Sequence, residues 1–364
     1  MKLKELCSYL ESVVPLSFQE GYDNSGLQVG SPDMEILSVL ITLDVTGEVL
    51  DEALKTGCNL IISHHPVIFN PIKRITGESL AEKILIRAIK DEIAIYSAHT
   101  NLDVLSFGVS RKMAEKLNLQ NIKVLLPLKN RLLKLVTFIP ESHLEKVRDA
   151  IFEAGAGTLG DYDQCGFTAS GTGSFRGGKI SSPFVGKIGK IHFEKEIRFE
   201  TVLFSYLKEK VIKVLLSSHP YEEVAYDIYP LENENAGAGL GCVGELAEQI
   251  SEADFLKTVS SVFDARGTRY SEPSGTPVRK VALCGGSGSM LINEAIGSGA
   301  DIFITADIKY HNFFEADNKI LLVDIGHYES EKCATEILYS LIIKKFPKFA
   351  VLFSETNANP INYL

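Results

Sequence analysis

At 364 residues the chain is longer than one typical domain, so two are expected, each with material for its own core. A net charge of -10 with no local Lys/Arg stripe excludes the basic face that nucleic-acid binding requires, while 45% hydrophobic and 23% charged residues are ordinary for a soluble globular protein. No run of about 18 apolar residues offers a membrane span, Met1 to Leu6 lacks an apolar signal core, and the six scattered cysteines form no CxxC pair; the expectation is a cytoplasmic protein with reduced thiols and no zinc ribbon.

Leu3, Leu6, Leu10 and Val13-Val14 recur at helical spacing until Pro15 stops them, so the chain opens on a short amphipathic helix. Glu20 to Gly30 reads either as a plain loop or as a loop giving way to a short strand. From Ile36 the pattern is regular: a strand to Leu43, a helix from about Thr46 to Thr56 closed by Gly57, and the apolar run Leu60-Ile61-Ile62. That run ends in Ser63-His64-His65-Pro66. Pro66 cannot continue a ladder, so both imidazoles fall at a strand's carboxyl end, where open α/β sheets keep their sites. Thr76 to Ser79 leads into a helix to about Lys90, and the strand Ile93 to Ser97 ends in Ala98-His99-Thr100-Asn101-Leu102-Asp103. Strand, helix, strand, helix, strand at these lengths predicts a parallel sheet with right-handed crossovers.

Near residue 130 the texture changes. Leu132 to Ile139 reads as a strand and Ser142 to Ala154 as a helix, followed by a Gly-rich stretch from Gly155 to Gly178. Alternation at Ile191, Phe193, Ile197 and Phe199 gives further strands, then a helix at about Phe204 to Leu216 and a last strand from Val224 to Leu231. This order is a ferredoxin-like α+β pattern, taken as an insert over residues 130–232 with Glu232 to Gly237 as its exit linker. The α/β texture then returns, with strands at Val278 to Leu283, Asp301 to Thr305 and Lys319 to Asp324, helices at Met290 to Ile296 and about Glu329 to Lys345, and a turn at Gly285 to Ser289. Residues 1–129 and 233–364 therefore read as two halves of one interrupted α/β domain.

Three strand ends offer ligand-type side chains: His64-His65, His99 with Asp103, and His327 with Glu331. Adjacent residues of an extended segment point apart, so a site using both His64 and His65 suits two metal ions or one wide cluster. His327 and Glu331 stand four apart at a helix start and reach a common centre. Imidazole and carboxylate without thiolate suit Zn, Fe, Mn, Co or Ni. Asp103 also reads as an N-cap before a helix at Phe107, and Glu329 is a rival to Glu331 aimed off the face of His327. Asp307, Lys309 and His311 end another strand, as neighbours of the site, substrate contacts or a solvated loop. Gly285 to Ser289 lacks the lysine of a phosphate-binding loop and reads as a tight turn, and Arg176 lies on a Gly-rich loop.

The stretches Asp23-Asn24-Ser25-Gly26-Leu27, Ser63-His64-His65-Pro66, His99 to Asp103, Thr305 to His311 and Gly326 to Glu331, in this order, resemble the GTP cyclohydrolase I type 2 homologue family, the Nif-three-like proteins. The resemblance implies an α/β metal-binding domain built from two halves and interrupted by an insert similar to the PII and CutA-like proteins. It implies a dinuclear site of two divalent ions per chain, Zn or Fe first, held by His64, His65, Asp103, His327 and Glu331; His99 is not a ligand in that pattern. Ala306 and Tyr328 depart from the family's usual Gly and His and leave all five in place. It further implies self-assembly into a ring-shaped homohexamer. The expected activity is a two-metal hydrolase opening the purine ring of GTP or cleaving a phosphoester through a metal-bridging hydroxide. The alternative is a non-catalytic metal-binding ring or partner scaffold regulated through its insert. No nucleic-acid or membrane partner is expected.

Overall fold

A computed structural model describes residues 1–129, 131–160, 162–233 and 235–364. Residue 130, where the insert is expected to begin, and residue 234 of the expected exit linker lie outside the described residues. The chain forms two compact units, Met1–Leu126 with Ala238–Leu364, and Pro127–Gly237.

The first unit holds two sheets. One runs Gly26–Val29, Ala94–Ser97, Leu60–Ser63, Ser38–Thr42, Ala350–Phe353, all parallel except Gly26–Val29 at the edge. Its crossovers are the helices Gly47–Thr56 and Leu80–Lys90. Thr46 caps the first by accepting from the Val49 N–H, Gly57 closes it at φ +73°, and Ser79 caps the second. Side chains alternate across the sheet: Leu40, Ile61 and Ile95 pack on these helices, while Ile41, Leu60, Ile62 and Tyr96 join Leu3, Leu6 and Leu10 on the other face.

The second sheet runs Arg269–Tyr270, Leu321–Asp324, Ile302–Ala306, Val278–Ser287, Asn235–Ile250, Gln120–Leu128. Val278–Ser287, Ile302–Ala306 and Leu321–Asp324 are parallel, so they end together. Val281, Ile302, Ile304 and Val323 pack into the same core as Ile41 and Ile62. The two sheets thus share one core.

The second unit runs Leu132–Pro140, Leu144–Glu153, Gly166–Arg176, Ile191–Phe204, Lys208–Ser218, Tyr226–Leu231, a βαββαβ chain with an antiparallel four-stranded sheet. Its two helices pack Val147, Ile151, Val211 and Leu215 onto Leu135, Ile139, Phe199 and Leu203. This is the expected ferredoxin-like α+β architecture.

Several expectations are corrected. The helix placed at Phe204 to Leu216 is Lys208–Ser218, because ladder pairing with Leu132–Pro140 carries the preceding strand through Phe204. Arg176 does not lie on a loop: Gly166–Arg176 is an eleven-residue strand paired along Ile191–Phe204. The glycines at 285 and 286 continue the strand Val278–Ser287 instead of forming a free turn. The helix expected from Glu329 to Lys345 is two pieces, His327–Glu331 and Ala334–Lys345. The helix Glu252–Phe263 and the strands Asn235–Ile250 and Ala350–Phe353 were not foreseen. No helix among the described residues is long and apolar enough to cross a membrane.

Ile62 is fully buried two residues before His64. Ile62→Ala is expected to cost about 2–5 kcal/mol, as a lower urea midpoint at unchanged m-value.

Candidate metal centre

The site begins where the Leu60–Ser63 and Ala94–Ser97 strands end. Ser63 Oγ and Ser97 Oγ lie 2.8 Å apart in the interior, and both hydroxyls reach the carbonyl of His65, at 2.8 and 3.3 Å. The turn carrying the paired histidines is thereby held against the neighbouring strand.

Four imidazoles are then fixed in the same way. His64 donates from Nδ1 to the Ala98 carbonyl at 2.7 Å, and a carbonyl can only accept, so Nε2 keeps its lone pair. His65 Nδ1 lies 2.8 Å from Asp44 Oδ1, His327 Nδ1 2.7 Å from Asp307 Oδ2, and His99 Nδ1 2.8 Å from Asp23 Oδ1. Anchoring Nδ1 to an acceptor orients a ring and leaves Nε2 to meet a metal. Ring centroids of His64, His65 and His99 stand 5.1–5.4 Å apart, and His327 is 5.3 Å from His65.

Glu331 occupies the middle. Its Oε2 is 2.8 Å from His65 Nε2, 2.9 Å from His327 Nε2 and 3.8 Å from His64 Nε2. Asp103 Oδ1 lies 3.5 Å from His64 Nε2, and both of these buried atoms lack a hydrogen-bond partner. A lone-pair nitrogen facing a carboxylate oxygen in the interior, with nothing shared between them, fits a cation held by both. Three groupings bring their ligand atoms within 4.8 Å: His64, His65 and His99; His65, His327 and Glu331; His64, Asp103 and Glu331.

The electrostatics agree with an N/O metal set. Burial drives the fully buried His64 down to about 3, so it is a neutral imidazole. Burial also opposes charge on His65 and His327, but carboxylate hydrogen bonds override it, from Asp44 and Glu331 to about 9 and from Asp307 and Glu331 to about 10. Without a metal these two rings carry protons on Nε2, where a cation would otherwise sit. Burial, then the Glu331 charge, holds Asp103 well above the usual carboxylate range. Burial would raise Glu331 too, but its bonds to His327 and His65 hold it far below.

The structure therefore brings His64, His65, Asp103, His327 and Glu331 to one centre. It brings His99 there as well, on an Asp23 carboxylate that also accepts from the Thr100 N–H and hydroxyl. Glu329 turns away: it is buried and accepts from Asn359 at 3.1 Å. Asp103 caps nothing, since it ends the one-turn helix Thr100–Asp103 and Gly108 precedes the helix Val109–Lys116. Asp307 orients His327, whereas Lys309 and His311 are exposed, the latter beside Tyr310 and Phe314. Asp44 and Gly286 are functional positions that sequence reasoning missed. Asp44 carried a signal, as an acid directly after the Ile36 to Leu43 run. Gly286 stands at φ +62°, and a Cβ there would lie 2.0 Å from Glu331 Oε1. Its hydrogen atom is what leaves room for the central carboxylate.

Comparison with known proteins follows the same lines. The sequence model of the family described as Duf34/NIF3 (NGG1p interacting factor 3) matches residues 1–360. A Halalkalibacterium halodurans protein named GTP cyclohydrolase 1 type 2 homolog is 38% identical over 96% of this chain and 95% of its own. A Bacillus subtilis protein of the same name is 37% identical over 99% and 98%. A crystal structure of a Bacillus cereus protein related to NIF3 superposes with a TM-score of 0.86 at 39% identity, covering 100% of this chain and 99% of that one.

Two outcomes follow from the geometry. His65 and His327 have folded-state values raised above the ordinary 6.5, so their contribution to stability is complete below about pH 6.5 and is lost as pH rises through about 9 and 10. Chelator-treated protein should therefore lose melting temperature between pH 7 and 10 more steeply than protein reloaded with Zn, whose ring nitrogens need no proton. Gly286→Ala should displace the Glu331 carboxylate and weaken Zn affinity at least about tenfold by chelator competition, with secondary structure retained by circular dichroism.

Proposed function

Since the chain belongs to the Duf34/NIF3 family, we propose that it is a metal-dependent hydrolase holding two divalent cations on His64, His65, Asp103, His327 and Glu331. The observation that carries this reading is the buried face-to-face pair, His64 Nε2 and Asp103 Oδ1, with the Glu331 carboxylate shared between two further imidazoles. When bound, divalent cations supply Lewis acidity, activation of water and neutralisation of developing negative charge. The protein's own contribution is orientation: Ala98, Asp44 and Asp307 set the three ligand rings, and the Leu60–Ser63 strand end keeps His64 dry.

Five ligands shared by two cations leave coordination positions for water and substrate, which favours catalysis over storage. His99, outside the five, aims Nε2 at the same centre from its Asp23 anchor and is left to position a water or a substrate group. The substrate class that fits is a nucleotide or another phosphoester, whose anionic oxygens two cations can bind. The name carried by the Halalkalibacterium halodurans and Bacillus subtilis relatives points within that class to GTP ring opening. Assembly as a ring-shaped homohexamer belongs to the same reading and rests on the family resemblance.

Elemental analysis of purified protein should find two divalent ions per chain, with ion lost in His65→Ala and in Glu331→Ala. Metal-dependent hydrolysis, assayed on GTP and a phosphoester panel, should fall at least about a hundredfold in both variants, since removing a ligand forfeits several kcal/mol of charge stabilisation. Full metal content in either variant would refute the ligand assignment. Two ions without turnover on any compound would leave a metal-binding ring.

A further inference from the structure

The inserted unit contains a cavity of about 690 Å³ lined entirely by its own residues. Phe138, Phe175, Phe184 and Tyr221 contribute rings to its lining, Phe175 and Phe184 each 6.2 Å from Tyr221 between centroids. Gly171 and Gly173 of the Gly166–Arg176 strand add no side chains to the space.

Within this apolar surround sits a carboxylate. Glu196 lies on the Ile191–Phe204 strand, on the face opposite the helix-packed Phe199 and Leu203, and is only 9% exposed. Its Oε1 accepts from the Tyr221 hydroxyl at 2.8 Å. Its Oε2 lies over Gly173, so close that a Cβ there would stand 2.0 Å away. Of the other charged residues lining the cavity, Arg198 donates to Glu200 and both Glu222 oxygens accept from the Ser182 N–H, while Arg176 and Glu223 stand at its wall.

A carboxylate buried to nine-tenths forfeits hydration that a single tyrosine hydroxyl does not restore. What restores it is a donor arriving with a ligand. Two carboxylate oxygens side by side match two N–H groups on adjacent nitrogens of a planar group, and the aromatic rings cover the faces of such a group. We propose that this cavity binds a small molecule bearing a planar guanidine-type edge of paired N–H donors, accepted by Glu196 and stacked against Phe184 and Tyr221. An alkylguanidine and a guanine base share that edge, and the remaining volume accommodates the body of either.

The test is calorimetric titration of the full chain with agmatine and, separately, with guanosine. At least one should bind saturably at one per chain, which also identifies the source of the edge. Glu196→Gln, which turns an acceptor pair into a mixed amide, should weaken that binding at least about tenfold. Phe184→Ala, at a half-exposed ring outside the core, should weaken it as well, and it decides alone if Glu196→Gln fails to fold. The bound probe should bind His65→Ala unchanged, because the cavity and the metal centre share no residue. Absence of binding by both probes, unchanged affinity in the folded variants, or binding abolished by His65→Ala would each overturn the assignment.

Discussion

A buried nitrogen lone pair and a buried carboxylate oxygen cannot face one another across 3.5 Å without a proton or a cation to share. His64 cannot supply the proton, because its Nδ1 hydrogen is committed to the Ala98 carbonyl and burial disfavours a second one on the ring. Asp103 answers by favouring its neutral form, and Glu331 by drawing protons onto His65 and His327. The metal-free site is thus held together by protons occupying the places of cations. The surrounding fold exists to keep this unfavourable arrangement dry and rigid.

That rigidity comes from packing two sheets on a single core. Ile41 and Ile62 of one sheet and Val281, Ile304 and Val323 of the other belong to one buried cluster, so neither set of strand ends can move without disturbing both. The interruption of the chain by Pro127–Gly237 costs the site nothing locally, since all of its ligands, and the groups that orient them, lie outside that unit. Strand ends are also where the backbone leaves its ladder, which frees the carbonyls of His65 and Ala98 and the N–H of Gly286 to bond side chains instead.

Much of this was legible in the sequence because it follows from periodicity. The runs Leu60 to Ile62 and Ile93 to Tyr96, just ahead of His64 and Ala98, are apolar throughout, which marks buried parallel strands, and turn residues fix where they stop. The His327 and Glu331 spacing is local geometry and survives any tertiary context. What escaped was set by partners far away in sequence. The strand Gly166–Arg176 has a glycine-rich composition that argues for a loop, and only its pairing along Ile191–Phe204 makes it a strand. The place of His99 was left open, excluded by the family pattern though spacing admitted it, because an aspartate 76 residues earlier turns its ring. Gly286 read as a turn since nothing local reveals the carboxylate lying against it.

Charge balance bears on why the site draws positive charge. Asp23, Asp44, Asp103, Asp307 and Glu331 gather five carboxylates around four imidazoles. In the metal-free chain Asp103 favours its neutral form and His65 and His327 their protonated ones, so protons offset part of that charge. The Glu331 Oε2 lies within reach of three of the four rings, so the compensating protons gather about one oxygen. The acids that anchor His65 and His327 therefore do more than orient them. They set a local field that favours positive charge at the centre, whether protons or a cation carry it.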